Sequence, residues 1–148
     1  MNIKFQKGIS EKQIGQLIEY SSTDELVGKF THDRERFGSR EAFGEWLKKG
    51  RDIKVMTNDK GDLLGIFWYG FKEMPLGDKN YDTTFAIRIY GEARGKGLGL
   101  DFMKKSLKER GIWLKISDDN LAAKALYFKF GFRQVSEPDE NNKIIMVF

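Results

Sequence analysis

The sequence predicts a mixed α/β domain in which a central sheet of about seven strands is flanked by helices. Short apolar runs with strand-like alternation recur along the chain. Segments with helical periodicity and capping residues lie between several of them. One such helix joins two apolar strands, and a helical crossover places its two strands parallel in one sheet. With 148 residues, the chain suits a single domain, residues 1–148, with a sizeable core.

The first segment predicts a strand followed by two helices. Alternation at Ile3–Phe5 indicates a short strand. The residues of 10–13, Ser-Glu-Lys-Gln, form a capping box, with apolar residues on one helical face after it. The residues of 22–25 repeat the capping signature, so a second short helix is predicted to run toward Phe30.

A third helix and a hairpin come next. Ser39 is a typical helix cap, and Gly50 is predicted to end that helix. Residues 53–57 alternate as a strand, and 63–71 are a longer apolar strand. The turn-forming residues between these strands predict a hairpin, and residues 72–82 read as a loop.

The stretch that follows combines a strand, a glycine-rich loop and a helix. Phe85–Tyr90 is apolar and β-branched, which indicates a buried strand. Arg94–Gly99 carries glycines at alternate positions and leads into a helical pattern for which Gly111 is the predicted C-cap. Unpaired N–H groups at a helix start bind anions, and glycine lets a ligand approach the backbone closely. The stretch therefore predicts an anion site.

Three known phosphate-binding motifs can be compared with this loop. A P-loop needs four residues between its glycines, but Gly91 and Gly95 have three between them, and Gly97 stands where the hydroxyl residue belongs. A dinucleotide-binding fingerprint needs G-x-G-x-x-G in an opening βαβ unit, whereas the glycines here are spaced G-x-G-x-G. The third pattern, R-x-x-G-x-G, is matched by Arg94, Gly97 and Gly99.

The remaining chain predicts a strand, a helix and a closing hairpin. Residues 112–117 alternate as a strand parallel to 84–90. Acidic residues before Asn120 favour a helix start, and Gly131 ends that helix. Its predicted buried face consists of Leu121, Ala122, Ala125 and Leu126. Segments 132–135 and 144–148 form the predicted hairpin.

Composition excludes several classes of protein. The chain has no cysteine and a single histidine, His32, so a metal site is not expected. The net charge of +4 comes from interleaved basic and acidic residues, which favours a solvated surface over a nucleic-acid-binding one. We find no membrane-spanning run and no signal peptide, and therefore expect a soluble, cytoplasmic protein.

A second motif follows the loop after one strand. Asn120, Ala123, Tyr127, Gly131 and Phe132 match N-x-x-A-x-x-x-Y-x-x-x-G-F at every spaced position. Together with R-x-x-G-x-G, in this order, the motif resembles the GNAT acetyltransferases, and the order of elements is similar along the whole chain. The resemblance implies the acyl-CoA N-acyltransferase fold. It also implies transfer of an acetyl group from acetyl-CoA to a primary amine, by direct attack in a ternary complex.

The resemblance also implies roles for individual residues. Acetyl-CoA would lie where strands 84–90 and 112–117 splay apart, with Asn120 beside its pantetheine. Tyr127 would face the thioester sulfur as general acid, and the backbone N–H of Ile89 would bind the oxyanion. The other coenzyme contacts would come from the strand and the glycine loop: Ile87, Arg88, Ile89, Arg94, Gly95, Lys96, Gly97, Leu98, Gly99 and Leu100.

The general base departs from the family pattern. Relatives that acetylate protein N-termini often carry a glutamate where this chain has Lys115, and others carry one near Thr83. The remaining candidates are Asp82, Glu73 and His32, of which Asp82 acting through a water is favoured. The missing base leaves a second interpretation open, a non-catalytic acyl-CoA-binding or interaction module. The sequence does not identify the amine, and it is compatible with a monomer or a homodimer.

Overall fold

The computed structural model describes residues 2–148, which form one seven-stranded sheet with helices on both faces. The strands are β1 Lys4–Lys7, β2 Asp52–Thr57, β3 Leu63–Phe71, β4 Thr83–Ile89, β5 Ile112–Ser117, β6 Arg133–Gln134 and β7 Lys143–Val147. The helices are α1 Glu11–Thr23, α2 Glu25–Phe30, α3 Asp33–Arg36, α4 Arg40–Leu47, α5 Leu98–Ser106 and α6 Leu121–Phe130, and a 3₁₀ turn spans Gly91–Ala93.

The strand order is β1-β2-β3-β4-β5-β7-β6. Neighbouring strands are antiparallel except for β4 and β5, which are parallel and joined through α5. A parallel pair needs such a crossover, whereas the antiparallel pairs β2–β3 and β6–β7 are joined by short connections. The structure confirms the predicted α/β fold with a mixed seven-stranded sheet.

Two large apolar cores lie on opposite faces of this sheet. One includes residues of α5 and α6, and the other includes residues of α1, α2 and α4. Along β4 the side chains alternate between them, since Phe85 and Ile87 belong to the first core and Ala86 packs against the second. The two faces of β4 therefore have different surroundings.

Some helix ends in the structure agree with the sequence prediction and others differ from it. The capping box at Ser10 and Gln13 is present, and Ser39 caps α4 as predicted. The cap of α2 is Asp24 rather than Ser22, because the Asp24 carboxylate accepts the first free N–H groups. Gly111 is not the C-cap of α5, because the helix ends at Ser106 and Leu107 is its C-cap. Gly111 instead has a φ of 81° and leads the chain into β5.

The structure departs from the sequence patterns at two helices. Residues 33–36 form the short helix α3, which the sequence patterns did not predict. The predicted buried face of α6 is also wrong for three of its four residues: Leu121, Ala122 and Ala125 are exposed. The same helix buries Tyr127 instead. Within the described residues, no helix has both the length and the apolar character needed to cross a membrane.

Candidate active site

The strands β4 and β5 pair only where they begin. Their parallel register joins Thr83 to Ile112 and Thr84 to Trp113, and no later pair exists in the described chain. Beyond this point β4 keeps its partner β3 as far as Ile89. The gap opens into a cleft of about 1250 Å³ that reaches both faces of the sheet. Ligand pockets commonly measure roughly 300–1,000 Å³, so this cleft is large enough for a sizeable ligand and a second molecule.

The glycine loop forms one wall of the cleft. Gly95 and Gly97 have φ values of 74° and 73°, a left-handed conformation that strongly favours glycine. Gly97 is also the N-cap of α5, and no side chain caps that helix. The first N–H groups of α5 therefore remain available to an anion, at the positive end of the helix dipole.

The other residues of the loop have distinct environments. Gly99 lies where α5 meets α6, and a Cβ there would lie 3.2 Å from Leu126 Cδ2. The guanidinium of Arg94 forms an ion pair of 2.9 Å with Asp24, which ties the loop to α2. Arg94 lines the cleft together with Leu98 and Leu100, whereas Lys96 is exposed outside the lining.

The edge of β4 supplies main-chain groups to the cleft. Ile87, Arg88 and Ile89 line it. The N–H of Tyr90 donates to the Leu64 carbonyl of β3 at 2.9 Å. Because successive N–H groups of a strand point to opposite sides, the N–H of Ile89 points away from β3 and toward the gap. The N–H of Ile89, to which the family resemblance gives the oxyanion role, is thus a donor that faces the gap.

Tyr127 reaches the cleft from α6. Its ring is buried, with Phe85 and Phe132 each at a centroid distance of 5.7 Å. Its hydroxyl has no hydrogen-bond partner among the described residues, which leaves it able to bind a ligand in the cleft. Burial raises the pKa of Tyr127 to about 12. The hydroxyl is therefore protonated at neutral pH and is a hydrogen-bond donor.

Asn120 lies at the start of the same helix. Its side-chain oxygen accepts a hydrogen bond from the Ala123 N–H at 3.3 Å, which caps α6. Asn120 also lines the cleft. The structure therefore brings together the strand edge, the glycine loop, Asn120 and Tyr127, four features that lie apart in the sequence.

Comparison with known proteins finds similar sequences among acetyltransferases. No protein-family model matches the chain. Two proteins of Bacillus subtilis are each 34% identical to it: a probable spermine N(1)-acetyltransferase of subspecies natto strain BEST195, over 100 residues, and a spermine/spermidine N(1)-acetyltransferase of strain 168, over 98 residues. Each match covers 60% of this chain and 64% of the relative, so the chain matches less than two thirds of the length of these proteins.

A solved structure shows the same architecture along the full chain. It is a GNAT superfamily phosphinothricin acetyltransferase from Sinorhizobium meliloti in complex with AcCoA, with a TM-score of 0.66 and 14% identity. The alignment covers 99% of this chain and 87% of that one. The chain therefore has the fold of the GNAT acetyltransferases. The two sequence motifs and the gap between β4 and β5 lie in one cleft of this fold.

The three candidate bases differ in their position relative to the cleft. Asp82 is exposed and accepts a hydrogen bond from Thr83 Oγ1 at 3.0 Å. It precedes Ile89 by seven residues, on the order of 23 Å along an extended strand. Neither Asp82 nor Glu73 is among the residues that line the cleft, whereas His32 lines it. Sequence reasoning favoured Asp82, but the structure brings only His32 of these three to the cleft.

A buried ion pair that sequence reasoning missed lies beside the cleft. Arg88 Nε donates to Asp33 Oδ2 at 2.7 Å and Arg88 Nη2 to Asp33 Oδ1 at 3.2 Å. Arg36 Nη1 donates to Asp33 Oδ1 at 3.0 Å. Although burial pushes the pKa of Asp33 upward, the charges and hydrogen bonds of both arginines outweigh it and hold that pKa below its ordinary value.

One signal for this pair was present in the sequence. Arg88 stands between two isoleucines in an apolar strand, and a buried arginine needs a carboxylate partner. The sequence did not identify Asp33 as that partner, because it lies 55 positions away in a polar segment without helical periodicity. Among the described residues, no cluster of His, Cys, Asp and Glu could hold a metal ion.

Proposed function

We propose that this protein is an acetyl-CoA-dependent N-acetyltransferase that transfers an acetyl group to a primary amine. One observation carries the proposal: the gap between β4 and β5 brings an uncapped helix start and a free strand edge to one cleft. A coenzyme with an anionic pyrophosphate and a peptide-like arm needs both features. The names of the two curated relatives support the same reaction class.

The loop and the strand edge would bind different parts of acetyl-CoA. The N–H groups from Gly95 to Leu100 suit the pyrophosphate, because they lead into the first turn of α5, which has no side-chain cap. The main chain from Ile87 to Ile89 suits the amide groups of the pantetheine arm. Asn120 has an amide nitrogen left for the same arm, since only its oxygen caps α6.

The chain supplies two donors for acyl transfer. In the reaction the amine nitrogen forms a bond to the thioester carbon, negative charge builds on the carbonyl oxygen, and the carbon–sulfur bond then breaks. The N–H of Ile89 would bind that oxygen where the charge develops. Tyr127 would donate a hydrogen bond to the departing sulfur.

Full proton transfer from Tyr127 is disfavoured. A thiol has a pKa of about 8.5, so protonating the thiolate from a tyrosine of pKa about 12 would cost roughly 5 kcal/mol. A hydrogen bond from a neutral tyrosine avoids this cost. We therefore propose that Tyr127 stabilises the thiolate as a donor, and that the released sulfur takes its proton from solvent.

His32 is the better placed candidate to take the proton of the amine. An alkylammonium must lose a proton before it attacks, and histidine is the commonest general base in enzymes. His32 lies in the cleft and precedes α3, the helix that contains Asp33. Asp82 remains the alternative and would need a chain of waters to act from the start of β4.

The test is release of free coenzyme thiol from acetyl-CoA in the presence of a panel of primary amines. An amine-dependent rate, with acetylated amine as product, is expected. Binding of acetyl-CoA without thiol release for every amine would favour the non-catalytic module, which the absence of a carboxylate at Lys115 and Thr83 supports. The cytoplasmic location, and a monomeric or homodimeric state, stay predictions from the sequence.

A further inference from the structure

The face of the cleft opposite the glycine loop is built from arginines stacked on indoles. The guanidinium carbons of Arg36 and Arg88 lie 5.9 and 5.1 Å from the ring centroid of Trp68. That of Arg51 lies 5.7 Å from the ring of Trp46. The two indoles meet edge to face at 5.1 Å. Arg88 lies on β4, and the other four residues lie outside β4 and β5. All five line the cleft: Arg36, Trp46, Arg51, Trp68 and Arg88.

This arginine cluster contains more positive than negative charge. Asp33 is the carboxylate within it, and Arg88 and Arg36 share that carboxylate. Arg51 has no ion pair or hydrogen bond within residues 2–148, and its Nε is buried without an acceptor. Burial and the neighbouring charge of Arg36 lower the pKa of Arg51 from its ordinary value. Arg51 is half-buried, and a half-buried guanidinium with an unpaired N–H group is suited to bind an anion.

The rest of the lining does not supply that anion. Asp119 is the one carboxylate residue among the described residues that line the cleft, and it lies just before α6. Lys115 lines the cleft as well, and its partner is Asp139 at 3.4 Å. A coenzyme bound at the start of α5 would place its pyrophosphate on the other face of the sheet. The second substrate is therefore the candidate source of the negative charge.

A polyamine would fit this surface poorly. Several ammonium groups in one molecule need facing carboxylates, and like charges in contact with arginines are repelled. The relatives named for spermine match only part of this chain. Guanidinium groups instead bind carboxylates in a fork geometry that an ammonium group cannot copy.

We propose that the acceptor is an amine that also carries a carboxylate, and that Arg51, with Arg36, binds this carboxylate. The proposal rests on the proposed acetyl transfer and names the substrate class for it. The position of Arg51 indicates an extended acceptor. The guanidinium of Arg51 lies next to Gly70, because a Cβ on that glycine would be 2.6 Å from Arg51 Nη1. Gly70 pairs with Thr84 on β4.

The distance between the amine and the carboxylate of the acceptor can be estimated along β4. Thr84 precedes Ile89 by five residues, which is roughly 17 Å along a strand. An α-amino acid holds its amine and carboxylate too close together to reach both positions. A short peptide or an ω-amino acid of similar length can do so.

The test compares the binding of pentaglycine, pentaglycine amide and spermine by calorimetry. The first two differ in the terminal charge, and an extended pentapeptide spans roughly 17 Å. Acetyl-CoA binding is measured first, and the probes are then titrated into protein saturated with coenzyme A. We expect pentaglycine to bind at least tenfold more tightly than its amide and than spermine, as charge-assisted hydrogen bonds imply.

Variants of Arg51 test whether this residue causes the preference for the acid over the amide. In Arg51→Gln the ratio between acid and amide should fall close to one with coenzyme affinity unchanged, and Arg51→Lys should keep part of it. Lys60→Gln, an exposed change outside the cleft lining, is the matched control. Equal binding of acid and amide, a preference for spermine, no binding of any probe, or an unchanged ratio in a folded Arg51→Gln would each overturn the proposal.

The coenzyme titration separates the two proposals. Failure to bind acetyl-CoA would count against the acetyltransferase assignment, and the three probes would then be compared with the free protein. Normal acetyl-CoA binding without a preference for the acid would remain consistent with the transferase proposal. It would overturn the proposal that the acceptor carries a carboxylate.

Discussion

Arg88 of β4 and Asp33 of α3 form a buried ion pair of 2.7 Å between segments 55 residues apart in sequence. Asp33 is fully buried, and Arg36 holds the same carboxylate from the end of α3. The pair fixes the short helix against the strand whose edge lines the cleft. It therefore couples the stability of the fold to the shape of the candidate active site.

Removing this carboxylate should destabilise the protein. Asp33→Asn leaves Arg88 buried without a counter-ion, and breaking a buried pair in this way costs about 3 kcal/mol or more in the free energy of unfolding. Chemical denaturation measures this change. Glu11→Gln, which removes the partner of the exposed Arg40, is the control and should leave the free energy of unfolding nearly unchanged.

The same pair predicts a dependence on pH. Because the pKa of Asp33 is lower in the folded state than in the unfolded chain, its contribution is complete above about pH 4 and is lost as the pH falls through the folded pKa. The parent should therefore lose more stability than Asp33→Asn on acidification below about pH 4. Parallel losses in the two proteins would contradict the assigned pKa direction.

Gly97→Val should weaken acetyl-CoA binding at least tenfold while the protein stays folded. The left-handed backbone at Gly97 disfavours a branched side chain, and that side chain would also obstruct the phosphate path. Calorimetry measures the Kd. Gly99→Val is less specific, since its side chain would press on Leu126 and disturb α6. Normal binding by both variants would show that the loop is only a turn.

Tyr127→Phe should lower kcat by about 10²-fold, with little change in acetyl-CoA affinity. Phenylalanine preserves the ring contacts with Phe85 and Phe132, so the melting temperature should stay near that of the parent. Because the pKa of Tyr127 is raised to about 12, ionisation of this residue should not reduce the parent's kcat up to pH 10. Full activity in the variant would remove Tyr127 from the chemistry.

The base is tested by His32→Gln with Asp82→Asn as the comparison. An amine of pKa 10.4 is only about 0.04% neutral at pH 7, so losing the base should lower kcat/KM most at neutral pH. We expect that loss in His32→Gln, with recovery toward the parental rate at pH 9 as free amine becomes abundant. Asp82→Asn should follow the parental pH profile. The opposite pattern would return the role to Asp82.

The sequence predicted the parts of the molecule that rest on local patterns. The strands follow from alternation, and the capping box at Ser10 and the cap at Ser39 were identified from residue type and spacing. The glycine loop and Tyr127 were identified because their motifs have fixed spacing. These features depend on neighbours in the chain, and the structure places them where the patterns indicate.

The missed features depend on contacts between distant segments. Asp33 reads as a solvated loop residue until β4 brings Arg88 to it. Leu121 reads as a core residue because helical periodicity does not distinguish an apolar core from an apolar cleft, and it is 71% exposed beside that cleft. The surroundings of Arg51 likewise depend on α3 and α4, which place Arg36 and Trp46 beside it.

The assignment of the cleft as the coenzyme site is tested most directly by the stability of the folded protein in the presence of acetyl-CoA. If the cleft between β4 and β5 is the coenzyme site, acetyl-CoA at 100 times its Kd should raise the free energy of unfolding by about 2.7 kcal/mol. Gly97→Val should show a smaller rise at the same concentration. An unchanged free energy of unfolding for the parent at millimolar acetyl-CoA would contradict the assignment of the cleft.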